Sequence, residues 1–231
     1  MWPSSRHLAQ QMFRDLHLQT GDLVLEYGPG TGAFTVEVER LRSIGIGLRY
    51  LGIEQDPGMY EFLVRRFPNL DFVLGDALDV VEICKQHHLP PAAAVISGLP
   101  LMFMDRRTLL GIFSGTGACL RADGVFRTFS YAHSYPTRVA GELRDLMSLC
   151  FEEYHLSAPV LRNLPPALVL SGRGPRANAA VVGLESMRES ADVVARRRPR
   201  LRRLGRARTK GADPVTAATA TRRPKRARGR R

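Results

Sequence analysis

The sequence predicts a doubly wound α/β fold, a seven-stranded, mostly parallel sheet with helices on both faces. Three observations predict it. The apolar stretch Leu23-Val24-Leu25-Glu26-Tyr27 runs into Gly28-Pro29-Gly30-Thr31-Gly32, so a buried strand ends in a glycine-rich turn before a helix. Further short apolar stretches recur, separated by segments of helix length. Acidic residues stand at or just beyond the ends of three successive strands. Repeated strand–helix units need a parallel sheet covered on both faces, and such a sheet binds its ligand at the carboxyl ends of its strands.

In chain order, residues 4–16 read as a helix, with Ser4 or Ser5 as cap and Leu8, Met12, Phe13 and Leu16 on one face. Strands are expected near 22–26, 49–54, 71–74 and 93–97, with helical stretches between them. Thr31 is expected to cap the helix after the glycine turn. A helix over about 105–120 leads to a fifth strand over about 124–130, and residues 136–149 read as helical. Two last strands, about 151–160 and 166–171, would form a closing antiparallel hairpin.

The glycine turn carries the chemistry. Gly28, Gly30 and Gly32 let the backbone bend sharply and let a ligand approach, and the amides of the following helix point at whatever occupies the turn. The spacing is G-x-G-x-G, not the G-x-G-x-x-G of a dinucleotide site. Glu26 lies two residues before the first glycine, where it would repel a pyrophosphate. It suits a ligand with an ammonium and a sulfonium, S-adenosyl-L-methionine. Tyr27 belongs to the same cradle. Glu54 follows about 25 residues later, close to the spacing of a ribose-binding carboxylate, with Gln55 and Asp56 as alternatives if the strand ends later. Asp76, followed by Ala77, could accept from the adenine amino group; it also reads as a helix cap.

VLEYGPGTG, LGIEQDP and LGDA resemble the cofactor motifs of class I S-adenosylmethionine-dependent methyltransferases. The likeness spans roughly residues 1–170. It is strongest to the bacterial phospholipid N-methyltransferases and the related rRNA adenine dimethyltransferases. Pro3-Ser4-Ser5 with Leu8-Ala9 and Met12, Val95-Ile96-Ser97-Gly98-Leu99-Pro100, Phe129-Ser130-Tyr131 and Arg162-Asn163-Leu164-Pro165-Pro166-Ala167 resemble segments of the phospholipid group. The resemblance implies a Rossmann-like fold, S-adenosyl-L-methionine as cofactor, and an acceptor site around Ser97, Gly98, Leu99 and Pro100, with Ser97 also in contact with the cofactor. Adenine dimethyltransferases place Asn-Leu-Pro and an aromatic there. This chain has Gly98 at the amide's position and Leu101 at the aromatic's. Tyr131 and Tyr135 are candidates to surround a cationic headgroup.

Composition divides the chain. Residues 1–170 hold 15 Lys and Arg against 18 Asp and Glu, a net charge of −3; residues 171–231 hold 19 against 4, a net of +15. Residues 1–171 therefore read as the methyltransferase domain, and 172–231 as a basic tail with too few large apolar residues to order itself. The tail suits anionic lipid or RNA phosphates equally. The three cysteines are widely spaced and the six histidines scattered, so no metal or redox motif is expected. No apolar run reaches a membrane-span length, and the start lacks a signal-peptide pattern. The first helix, with Trp2 before it, either packs on the sheet or lies on a bilayer at the substrate entrance. Together these readings predict a cytoplasmic enzyme, peripheral at the inner membrane face, methylating a phospholipid amine such as phosphatidylethanolamine. The alternatives are an rRNA or other nucleic-acid methyltransferase gripping RNA with its tail, and a non-catalytic protein that keeps the cofactor fold.

Overall fold

Five consecutive buried residues form β1 (Leu23–Tyr27), and burial on both faces marks a central parallel strand. The structure, a computed structural model, describes residues 4–176. Around β1 lie β2 (Arg49–Glu54), β3 (Asp71–Leu74), β4 (Ala92–Ser97), β5 (Leu120–Tyr131), β6 (Phe151–Leu156) and β7 (Ala167–Pro175), in the order β3-β2-β1-β4-β5-β7-β6. The first five strands pair in parallel, and β7 pairs antiparallel with both β5 and β6. The order reverses between β1 and β4, the point at which sheets of this kind bind ligands beyond the carboxyl ends of their strands.

Alternation along β1 sends successive side chains to opposite faces. Leu23, Leu25 and Tyr27 join a core with α4 (Val80–Gln86), α5 (Arg106–Cys119) and α6 (Arg138–Cys150). Val24 faces the other core, shared with α1 (Arg6–Phe13), α2 (Thr35–Ser43) and α3 (Pro57–Arg66). Leu8, Ala9, Met12 and Phe13 of α1 are buried there, so the apolar face of this helix is taken up by the sheet and is not free to lie on a bilayer. Trp2 and the tail from residue 177 onward lie outside the described residues.

Several boundaries differ from the sequence expectation. The first helix is capped by Ser5, whose hydroxyl accepts from the Leu8 amide at 3.2 Å, but it stops at Phe13 and not at residue 16. Arg14 is extended and Asp15 has φ +58°, which ends the helical hydrogen-bond pattern. The Arg127 guanidinium, reaching across from β5, donates to the carbonyls of Gln11, Met12 and Arg14 and so satisfies the open end. β5 begins at Leu120, earlier than expected. β6 is shorter than expected, ending at Leu156, and Val160 makes only an isolated bridge to Ala167. β7 runs on to Pro175, past the composition shift at residue 171.

Candidate active site

The glycine turn is pinned on both sides. The Gly28 amide donates to the Ile53 carbonyl of β2 at 2.9 Å, and the Gly98 amide after β4 donates to the Tyr27 carbonyl at 2.8 Å. Gly28, Gly30 and Gly32 have φ of +62°, +56° and +79°, a region that disfavours side chains. Their surroundings differ. A Cβ at Gly28 would lie 2.7 Å from Leu99 Cδ2, and one at Gly32 would lie 2.3 Å from the Phe67 ring. A Cβ at Gly30 would meet nothing nearer than the Gly28 carbonyl oxygen at 4.0 Å. Protein packing therefore accounts for two of the glycines, and Gly30 is the one that borders open space.

Thr31 does not cap the next helix. The turn continues to Phe34, which stands at the cap position without a side-chain bond, and α2 starts at Thr35. Thr35 turns its hydroxyl to Glu26 instead, donating to Oε2 at 2.9 Å. The Tyr50 hydroxyl donates to the same oxygen at 2.8 Å. Glu26 is fully buried, and burial pushes its carboxyl up to about 7, against the opposing effect of the two hydroxyls. Its other oxygen, Oε1, has no partner. A buried carboxylate oxygen left open in this way fits a ligand that brings an ammonium group.

Glu54 braces the turn from the end of β2. Its Oε2 accepts from the Gly30 amide at 2.8 Å and its Oε1 from the Asp56 amide at 3.0 Å, with the residue only 7% exposed. Glu54 is also close enough to Glu26 to raise that carboxyl further. Gln55 is exposed, and Asp56 is the cap of α3, accepting from the Met59 amide at 2.8 Å. Asp76 follows β3 and accepts from the Leu78 amide at 2.9 Å, capping the short turn that begins with buried Ala77. The cap reading of Asp76 is thus the one that the geometry shows. Tyr27 reaches the turn through its main chain only: its ring is buried toward α5, with the hydroxyl 3.2 Å from Thr116 Oγ1.

At the end of β4, Ser97 is buried and its hydroxyl accepts from the Leu99 amide at 3.3 Å, shaping the turn that follows. Gly98, Leu99 and Pro100 meet Tyr131 in one cleft, together with Phe103 and Phe129, which sequence reasoning did not assign to the site. The signal for Phe103 was the apolar run Leu101-Met102-Phe103-Met104 directly after Pro100, and that for Phe129 its place two residues before Tyr131. A Cβ at Gly98 would lie 2.6 Å from the Gly28 carbonyl oxygen, so the two turns touch backbone to backbone. Tyr131 stacks on His133 with ring centroids 5.7 Å apart. Tyr135 is already engaged, with the Arg144 guanidinium 4.2 Å over its ring. No group of side chains among the described residues could hold a metal ion.

No family model matches the chain. It is 29% identical over 176 residues to the ornithine lipid N-methyltransferase of Singulisphaera acidiphila, covering 74% of this chain and 86% of that one. A shorter match, 29% over 75 residues, is to the ribosomal RNA small subunit methyltransferase A of Chlorobaculum parvum, covering 32% of this chain and 26% of that one. Among solved structures, Aeropyrum pernix fibrillarin with natively bound S-adenosyl-L-methionine superposes with a TM-score of 0.51 at 16% identity, over 67% of each chain. With its strand order, glycine turn and paired acids, the chain has the fold of the class I S-adenosylmethionine-dependent methyltransferases.

Proposed function

We propose that this methyltransferase transfers the methyl group of S-adenosyl-L-methionine to the amine nitrogen of a membrane lipid, with phosphatidylethanolamine as the first substrate to try. The observation that carries this reading is the acceptor cleft. Gly98 backs onto the Gly28 carbonyl at a spacing that admits no side chain, so the amide that holds an adenine in the rRNA enzymes has no room here. The cleft wall is Leu99, Pro100, Phe103, Phe129 and Tyr131, apolar and aromatic, which suits a lipid amine beside its glycerol and acyl parts. The long match to a lipid N-methyltransferase supports the same direction.

The cofactor supplies an electrophilic methyl on a sulfonium. Glu26 Oε1 would take the ammonium of its methionine part, and the Gly30 side of the turn would lie against its backbone. Glu54 would meet the ribose hydroxyls with the lone pairs its two amide contacts leave, and Asp76 the adenine amine. Ser97 and Gly98 hold the turn over which the acceptor nitrogen approaches. The acceptor nitrogen would have to be neutral, its proton given up to solvent beforehand, for its lone pair to take the methyl group while the sulfur keeps the S–C bonding pair. The protein's part is alignment, and Tyr131 can face the positive charge that grows on nitrogen.

The basic tail and the match to a ribosomal RNA enzyme favour one competing reading, methylation of RNA. The two are separated by expressing the protein in cells that lack methylated phosphatidylethanolamine. Thin-layer chromatography of the lipid extract should show monomethylated or further methylated lipid, and none with Glu54→Ala. An unchanged lipid profile beside new methyladenine in the RNA would replace this reading with the other.

A further inference from the structure

The three most exposed large apolar side chains among the described residues are Phe103, Leu161 and Leu164, at 83%, 77% and 74%. Leu161 and Leu164 lie on one short loop, and Phe103, some sixty residues earlier, lies at the acceptor cleft to which that loop's continuation is tied. Phe103 follows β4 and borders the acceptor cleft with Tyr131. Leu164 precedes Pro165-Pro166-Ala167, and this segment is tied to the same place: the Ala132 amide donates to the Pro166 carbonyl at 2.8 Å, and Ala167 pairs with Tyr131. A single exposed leucine needs no explanation, but an exposed phenylalanine at the acceptor cleft beside a loop that carries two exposed leucines does.

Charge at this rim has one sign left over. Arg162 stands between the two leucines, its guanidinium 3.4 Å from His7 Nε2 and without a carboxylate at ion-pair distance among the described residues. Arg14 and Arg40 line the same groove beside α1 but are already paired with Asp15 and Glu37. The loop is held from below. Asn163, 3% exposed, accepts from the Ser5 amide at 2.8 Å and donates to the Pro165 carbonyl at 2.7 Å. Leu161, Arg162 and Leu164 thus project from a fixed base.

We infer that this rim is a docking surface for an anionic phospholipid bilayer, with Phe103, Leu161 and Leu164 as apolar anchors and Arg162 as the phosphate contact. The inference rests on the lipid-amine reading and deepens it. Aliphatic prongs enter the headgroup–acyl boundary while a guanidinium between them stays at phosphate level. A bilayer met in this way faces the mouth of the acceptor cleft, so a headgroup can reach Tyr131 while its acyl chains stay in the membrane.

The test is flotation of the full chain with vesicles of phosphatidylglycerol and phosphatidylcholine, at about 0.5 M salt so that the basic tail is screened. The double variant Leu161→Asp/Leu164→Asp should lose vesicle binding by at least about tenfold, and Phe103→Ser should lose a part of it. Arg162→Gln should lose the preference for phosphatidylglycerol vesicles over phosphatidylcholine alone. All four positions are at the surface, so affinity for S-adenosylhomocysteine should be unchanged; Phe103→Ser reads the rim independently of the 161–164 loop. Equal flotation of parent, double variant and Phe103→Ser would overturn the inference, as would loss of RNA binding in these variants with vesicle binding kept. Methyl transfer to a short-chain, monomeric phosphatidylethanolamine needs no docking, so the Leu161→Asp/Leu164→Asp and Arg162→Gln variants, which lie outside the acceptor cleft, should retain it. If the parent methylates no lipid amine but the rim variants still lose flotation, docking stands and the substrate reading falls.

Discussion

Glu26 is an acid that water does not reach, with one oxygen held by two hydroxyls and the other open. Its folded value of about 7 lies above the ordinary 4.5, so the sign is the reverse of the usual paired carboxylate. Below 4.5 both folded and unfolded chains hold the proton and Glu26 contributes nothing to pH dependence. Between 4.5 and about 7 the unfolded chain gives it up first, so the cofactor-free domain loses stability as pH rises, by on the order of 3 kcal/mol in all. An ammonium placed at Oε1 favours the charged form and offsets this. Affinity for S-adenosylhomocysteine should therefore rise between pH 5.5 and 7.5, with proton release seen by calorimetry in buffers of different ionisation heat. Glu26→Gln keeps an acceptor for Thr35 and Tyr50 but cannot ionise, and should flatten the profile. Parallel profiles for the two proteins would take the ammonium away from Glu26. The sequence showed that an acid stands before the glycines, but not its burial, which depends on Tyr50 and Thr35 arriving from two other elements. Gly30 is similar: three glycines look alike in a string, and only the crowding by Leu99 and Phe67 separates them.

At the scale of elements, strands were legible because a buried strand is a short apolar run whichever partners it finds. β2, β3 and the carboxyl ends of β1 and β4 lie within about a residue of expectation. Ends set by tertiary contact were not legible. The expected last turn of α1 is replaced by Arg14 and Asp15 because Arg127, more than a hundred residues later, supplies donors to the open carbonyls. Burial lowers the Arg127 pKa to about 10, still charged at neutral pH, so the guanidinium works as a cationic C-terminal cap. Hydrogen bonds to a charged group are worth about 1.5–3 kcal/mol, and Arg127→Ala also leaves the part-buried carbonyls of Gln11 and Met12 open. That variant should lower unfolding stability by about this amount and speed amide exchange in residues 8–13 ahead of the sheet. Unaltered exchange there would mean that the packing of Leu8 and Met12 holds α1 without the cap. The motif Arg-Asn-Leu-Pro-Pro-Ala was legible as a pattern, but its use was not. Asn163 turns inward to tie α1 to the loop, while its neighbours Leu161 and Leu164 face outward.

For the whole molecule, charge and fold divide at different places. Composition shifts near residue 171, yet β7 pairs on through Arg173 and Pro175 with β6. Arg176 closes the sheet, its amide donating to the Cys150 carbonyl and its Nε to the Phe151 carbonyl, both at 2.9 Å. A cut after residue 171 would strip a paired edge from β6, whereas a cut after 176 leaves every described element intact. The chain 1–176 should therefore fold and bind S-adenosylhomocysteine like the full protein. The removed segment carries most of the basic excess, and each Lys or Arg near an anionic bilayer is worth about 1 kcal/mol, so three contacts amount to about 3 kcal/mol, roughly 100-fold in binding. Flotation on phosphatidylglycerol vesicles should weaken by about this factor at low salt, where charges are least screened, and converge with the full chain at about 0.5 M. Equal flotation at low salt would remove the tail as an electrostatic anchor. Failure of 1–176 to fold would show that the domain needs residues beyond Arg176.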